Sequence, residues 1–270
     1  MEYYYTTPEK VRRFVGLDTA FTGSTSPSLE QVEGEIRNAQ FEIERRTGRA
    51  WRKKLSAEEY PAGRFKDRDG VLVVHLDHVD VIEFSIMKNW NGSSWDNWLT
   101  GKTEGRADDY WVDYANGEVH SDLITTDVSG FHVQYYHGAP ATTLNGDLTD
   151  SATTITVTST TGFLNEGVLR IEDEEIYYSG LTATTFTGCS RGINDTTASA
   201  HSDTTELIPV YPEIDELCKK LVAYNLLYSN DRTSVYPEGN TQITPDMKKD
   251  KLKSDIDNRI YYLQQIMVRG

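Results

Sequence analysis

Apolar side chains recur in alternating steps of three and four over long stretches near both ends of the chain, and nearer to steps of two between them. Leu29, Val32, Ile36, Ala39 and Ile43 fall on one stripe, because residues three and four apart lie above one another on a helix surface. Ser28 with Gln31 supplies a capping box at its start, and Gly48 a stop. The spacing therefore predicts a helix about 28 Å long, at a rise of 1.5 Å per residue. A shorter helix precedes it. Thr7 caps, Pro8 suits the first turn, and Val11, Phe14 and Val15 share a face until Gly16. Residues 22–27 between the two read as flexible.

The helical period returns after Pro212, where Ile214, Leu217, Leu221, Tyr224 and Tyr228 again alternate three and four. Residues 229–244 read as a loop. Thr244 then caps a final helix that starts at Pro245, with Leu252, Ile256, Ile260, Leu263 and Met267 as its apolar face. From residue 51 to 138 the pattern is that of strands. Residues 71–76 and 79–86 are rich in β-branched side chains, and Asn91-Gly92 and Asn116-Gly117 are hairpin signals. Residues 131–136 form a further strand, stopped by Gly138.

Residues 139–208 stand apart in composition. Of these 70 residues, 23 are Ser or Thr, none is Lys, and ten acids face two arginines. Residues 154–158 alternate strictly, and 168–171 and 176–178 nearly so, between punctuating glycines. This describes a small barrel or sandwich of short strands, and the alternating Ile, Val, Leu, Phe and Tyr argue against disorder.

Charge and composition narrow the function. Acids outnumber bases 42 to 27, for a net charge of −15, which disfavours a surface that grips phosphates. No run approaches the roughly 18 apolar residues of a membrane span, and the N-terminus lacks the basic start and apolar stretch of a secretory signal. Cys189 and Cys218 sit in dissimilar contexts, pointing away from a disulfide framework and toward a reducing cytoplasm.

Residues with catalytic or ligating chemistry are few. His75 and His78 have a spacing compatible with a metal turn, but on a strand they point to opposite faces. The run Glu172-Asp173-Glu174-Glu175 lacks the regular alternation of a calcium loop and reads as a solvated turn. Asp108, Asp109 and Asp113 have no partner motif and read as an exposed loop. No phosphate cradle, nucleophile elbow or zinc-protease motif is present, so no enzymatic activity, cofactor or metal is expected. Trp90, Trp95, Trp98, Tyr110, Trp111 and Tyr114 gather within 25 residues. They suit a glycan-binding face, or else the β core or an oligomer interface. The tyrosines at positions 3 to 5 read as a docking arm.

The segment Thr7-Pro8-Glu9-Lys10-Val11-Arg12-Arg13-Phe14-Val15-Gly16, followed by residues 28–49 with their capping box and Arg45-Arg46-Thr47-Gly48-Arg49, resembles the head-tail connector, or adaptor, proteins of tailed double-stranded DNA viruses. In that family a short and a long helix precede a β portion, and a strand ending in Tyr-x-Gly leads into a Pro-led helix. Tyr136-His137-Gly138 and the segment from Pro209 through Pro212 to Leu217 match those two points. The family usually has a few residues between them, where this chain carries the acidic 70. Within that insertion, Ser190-Arg191-Gly192 followed by Ala200-His201 resembles a small β module of viral structural proteins. The resemblance covers roughly residues 6–50 and 130–268, and residues 51–129 match only in class.

The resemblance implies an α+β fold. A helical connector core of two N-terminal and two C-terminal helices would carry a β-rich middle and an inserted all-β domain, divided as 1–138, 139–208 and 209–270. Leu29, Val32, Ile36 and Ile43, with Ile214, Leu217, Leu221 and Tyr224, are then the subunit core or interface. Leu252, Ile256, Ile260, Leu263 and Met267 either dock to the portal or fold back on their own subunit. The implied function is a structural protein of the virion neck, assembled in the host cytoplasm. About twelve copies would form a closed ring beneath the portal, extend the DNA channel and offer a platform to tail or neck completion proteins. Duplex DNA would pass without specific binding, and no membrane is involved. The alternative is a carbohydrate- or receptor-binding virion module that uses the Trp-rich segment and the insertion.

Overall fold

The computed structural model describes residues 4–61, 64–66, 70–229 and 245–268, and for 64–66, 227–229, 245–249 and 265–268 the backbone only. The fold is α+β with antiparallel sheets. In chain order the elements begin with α1 (Pro8–Phe14) and α2 (Leu29–Thr47). The strands β1 (Lys54–Leu55), β2 (Arg64–Lys66), β3 (Leu72–His75), β4 (Val81–Trp90) and β5 (Trp95–Asn97) follow. Next come α3 (Trp98–Gly101), β6 (Trp111–Asp113), β7 (Glu118–His120) and β8 (Phe131–His137). The inserted stretch contributes β9 (Thr142–Thr143), β10 (Thr154–Thr156), β11 (Gly167–Ile171), β12 (Glu174–Tyr178), β13 (Gly180–Leu181), β14 (Thr185–Thr187) and β15 (Glu206–Pro209). The helices α4 (Pro212–Ser229) and α5 (Pro245–Val268) complete the chain.

The chain divides into two compact units. One comprises Met1–Trp51, Thr142–Thr160 and Leu164–Gly270, and the other Arg52–Ala141 with Thr161–Phe163. This differs from the divisions expected at 138 and 208. The inserted strands belong with the helices rather than forming a unit of their own: Lys10 of α1 bonds the buried Glu175 of β12, and β15, paired with β11, leads directly into α4.

In the helical unit the caps form as their sequences predict. The Thr7 hydroxyl accepts from the Lys10 N–H, and Ser28 and Gln31 complete the reciprocal capping box. Gly48 ends α2 in the left-handed conformation that a side chain would strain. The helices α1, α2, α4 and α5 enclose one apolar core that includes Val11, Val32, Ile36, Ile43, Leu217 and Ile260. In α1 only Val11 is buried, and Phe14, expected to share its face, is 38% exposed. Tyr4 and Tyr5 dock on α2: their N–H groups donate to the Gln40 Oε1, and the Tyr5 hydroxyl donates to Glu44. Tyr3 lies outside the described residues, as does the expected loop with its Thr244 cap, save its first residue, Ser229.

The inserted strands form two small sheets, ordered β12-β11-β15-β9 and β10-β14-β13. The other unit also holds two antiparallel sheets, ordered β1-β8-β4-β5 and β2-β3-β7-β6. Both predicted hairpins are present: Trp90 pairs with Trp95 across Asn91-Gly92, and Asp113 with Glu118 across Asn116-Gly117. At Gly117 φ is +66°, and a Cβ would collide with the His78 carbonyl, so only glycine fits. The single-turn helix α3 was not legible in the sequence. The Asn97 side chain caps it by accepting from the Leu99 N–H, and it buries Trp98 against Tyr110 and Phe131.

Candidate functional site

The residues singled out as core or interface converge. Val32, Ile36, Ile43, Ile214, Leu217 and Leu221 are buried in the helical core, and Leu29 and Tyr224 pack against it half-buried. The expected docking face of α5 meets the same core. Ile256 and Ile260 are buried there, and Leu252 and Leu263 pack on it. The Met267 side chain lies outside those described. Of the two readings of this face, the geometry is that of the helix folded back on its own subunit, which corrects the portal-docking assignment for Leu252, Ile256, Ile260 and Leu263. The apolar stripe is covered by α2 and α4 and fastened by Arg46 to Asp257 at 2.7 Å and by Lys220 to Asp255. Among the large hydrophobic side chains described on α5, Tyr261 and Tyr262 are exposed.

The run 172–175, expected to be a solvated turn, is solvated only in its first half. Glu172 and Asp173 form the exposed tip of the β11–β12 hairpin, with Glu172 at φ +51°. Glu174 and Glu175 are buried on β12. Glu174 accepts from Arg191 Nε at 2.6 Å and Nη2 at 2.7 Å, from the N–H groups of Gly192 and Ser199, and lies 2.7 Å from His201 Nε2. Burial by itself would raise the Glu174 pKa, but the bonds from Arg191 and His201 hold it below the ordinary carboxylate range. His201 Nδ1 lies 2.8 Å from Glu172. Thus Arg191, Gly192 and His201, three residues of the motif that marked the insertion, serve to satisfy one buried carboxylate.

Glu175 makes the second junction. Lys10 of α1 bonds Glu175 and also lies 3.3 Å from Asp215 of α4, so one ammonium joins the inserted strands to two helices. Arg170 lies almost wholly buried close to the same acids. Burial lowers its pKa, and Glu175 and Asp215 oppose that. Burial pushes the Cys189 thiol up to about 11 and that of Cys218 higher still, which makes both poor nucleophiles.

Beside these junctions lies a groove of about 630 Å³ between α1, the start of α2 and the tip of the β11–β12 hairpin. Phe21 and Leu29 supply apolar lining. Its charged lining is six carboxylates, Glu9, Glu33, Glu172, Asp173, Glu174 and Asp195, against Lys10 and Arg13 and beside His201. Sequence reasoning missed this groove, since its walls come from segments as far apart in the chain as Thr7 and His201.

No protein-family model matches the chain, and no curated protein matches its sequence.

In the other unit the aromatic segment is mostly internal. Trp98 and Tyr110 are buried, and Trp111 is stacked on His120 at 3.5 Å with the Arg106 guanidinium 4.0 Å above its ring. Trp90 and Tyr114 are half-buried. Trp95 is 41% exposed and forms a corner with Tyr60, which sequence reasoning did not select and which stacks on His132 at 4.4 Å. His75 is exposed beside Glu118, whereas His78 stacks on His137 at 3.9 Å. The described residues contain no group of three or more His, Cys, Asp or Glu placed to hold a metal ion. Asp113 accepts from Asn116 in the β6–β7 turn, and Asp109 from the Thr103 N–H, so both brace loops. Among the described residues no helix is long and apolar enough to cross a membrane.

Proposed function

We propose that the chain is a structural head-tail adaptor of a tailed double-stranded DNA virus, forming a ring beneath the portal that extends the DNA channel and receives the tail. The observation that carries this reading is the convergence of α1, α2, α4 and α5 on one core. The sequence segments that resemble the connector family supply those helices: the capped pair near the N-terminus and the Pro-led α4. The strand ending in Tyr136-His137-Gly138 is β8. A net charge of −15 suits a channel wall that repels duplex DNA and lets it slide without sticking.

A carbohydrate- or receptor-binding role is the second reading, and the exposed corner of Tyr60 and Trp95 is what favours it. Deleting the gene in the virus that encodes the chain separates the two. An adaptor leaves DNA-filled heads and unattached tails, whereas a receptor-binding module leaves complete particles that fail to adsorb. Complete, infectious particles would overturn both.

A further inference from the structure

Two charged surfaces of this chain complement each other. The groove beside α1 has six carboxylates in its lining, and its two basic side chains are already engaged: Lys10 with Glu175 and Asp215, and Arg13 with Glu9 and Asp195. Glu33 and Asp173 at this groove have no ion pair among the described residues. At the start of α5, Lys248, Lys249, Lys251 and Lys253 are four of the chain's 12 lysines within six positions, with Asp250 between them, and of these lysines the side chains of Lys251 and Lys253 are described. Lys251 and Lys253 are exposed, without an ion pair among the described residues. Neither lines the groove of its own chain.

We propose that Lys251 and Lys253, near the start of α5, dock into the acidic groove of a second copy of this chain. The contact joins two different patches of the same chain, so it is heterologous and passes from copy to copy, the geometry that a closed ring requires. Its apolar share comes from Phe21 and Leu29 within the groove, and its specificity from the charges. The inference rests on the ring reading and names the surfaces that would meet in it.

The test is self-association of the whole chain by mass photometry and sedimentation. Raising salt from about 0.1 M to about 1 M shortens the screening length from about 10 Å to about 3 Å and should weaken assembly. The pair K251E/K253E should weaken it about tenfold or more, and E33K/D173K likewise, by setting like charges against each other. The chain with all four substitutions should assemble again, which also shows that each substitution leaves the fold intact. If K251E/K253E assembles like the parent, the docking is wrong and the ring reading stands. If assembly is lost in the pairs and not regained in the fourfold variant, the lysines meet another surface and the proposal fails. A lysine pair needed for retaining duplex DNA but not for assembly overturns it too. A parent chain that stays monomeric at both salt concentrations overturns the ring reading and the docking together.

Discussion

Arg191 and Glu174 face each other as a two-pronged pair, Nε 2.6 Å from Oε1 and Nη2 2.7 Å from Oε2, with both side chains almost wholly shielded from water. Removing one partner leaves the other charge buried without its counterpart. Arg191→Ala is expected to cost about 3–5 kcal/mol in urea unfolding. Arg191→Lys should recover part of that loss, since an ammonium restores the charge without the fork. A cost below about 1 kcal/mol for the alanine variant would mean that water reaches the pair.

The same carboxylate sets a pH dependence. In the folded chain Glu174 titrates below its ordinary value of 4.5, so between the two pKa values the unfolded chain binds more protons. Its contribution to stability is complete above the unfolded value and is lost as pH falls through the folded one. Urea midpoints measured from about pH 6 to about pH 3 should fall, and fall less steeply in Glu174→Gln. Equal slopes would assign the acid sensitivity to other groups.

Ile260 of α5 and Ile36 of α2 are both fully enclosed by the helical core. Each substitution to Ala should cost about 2–5 kcal/mol. Tyr261→Ala, beside Ile260 but exposed, should stay within about 0.5 kcal/mol. If Ile260→Ala were as mild as Tyr261→Ala, α5 would not be part of this core in solution.

The stripes of α2, α4 and α5 and the caps of α1 and α2 were legible because each is a local property: a period, a hydroxyl three residues before an N–H, a glycine at the stop. The two asparagine-glycine hairpins were legible for the same reason. The burial of Glu174 and Glu175 was not. Their partners are Arg191, 17 residues on, and Lys10, 165 residues back, and a run of four acids looks solvated until distant cations are brought to it. The bond from Lys10 also ties a stretch with its own composition to the helical unit. Tyr60 was missed because it lies outside the tryptophan-rich segment and reaches Trp95 only through the sheet of β4, β5 and β8.

Gly117→Ala should destabilise the β-rich unit by about 1–3 kcal/mol, since the left-handed backbone and the His78 carbonyl both resist a side chain. Gly92→Ala meets the same backbone preference, but its Cβ would have no heavy atom within 4 Å. It should therefore cost less, and thermal melts of the two variants would show the difference. Equal costs would mean that the backbone at 117 shifts away from His78.

The adaptor reading stands or falls on assembly. Native mass spectrometry of the purified chain measures the number of copies directly. The account predicts a closed ring of about twelve subunits. A chain that remains a monomer, or stops at a twofold dimer that buries the same patch on both copies, would contradict it.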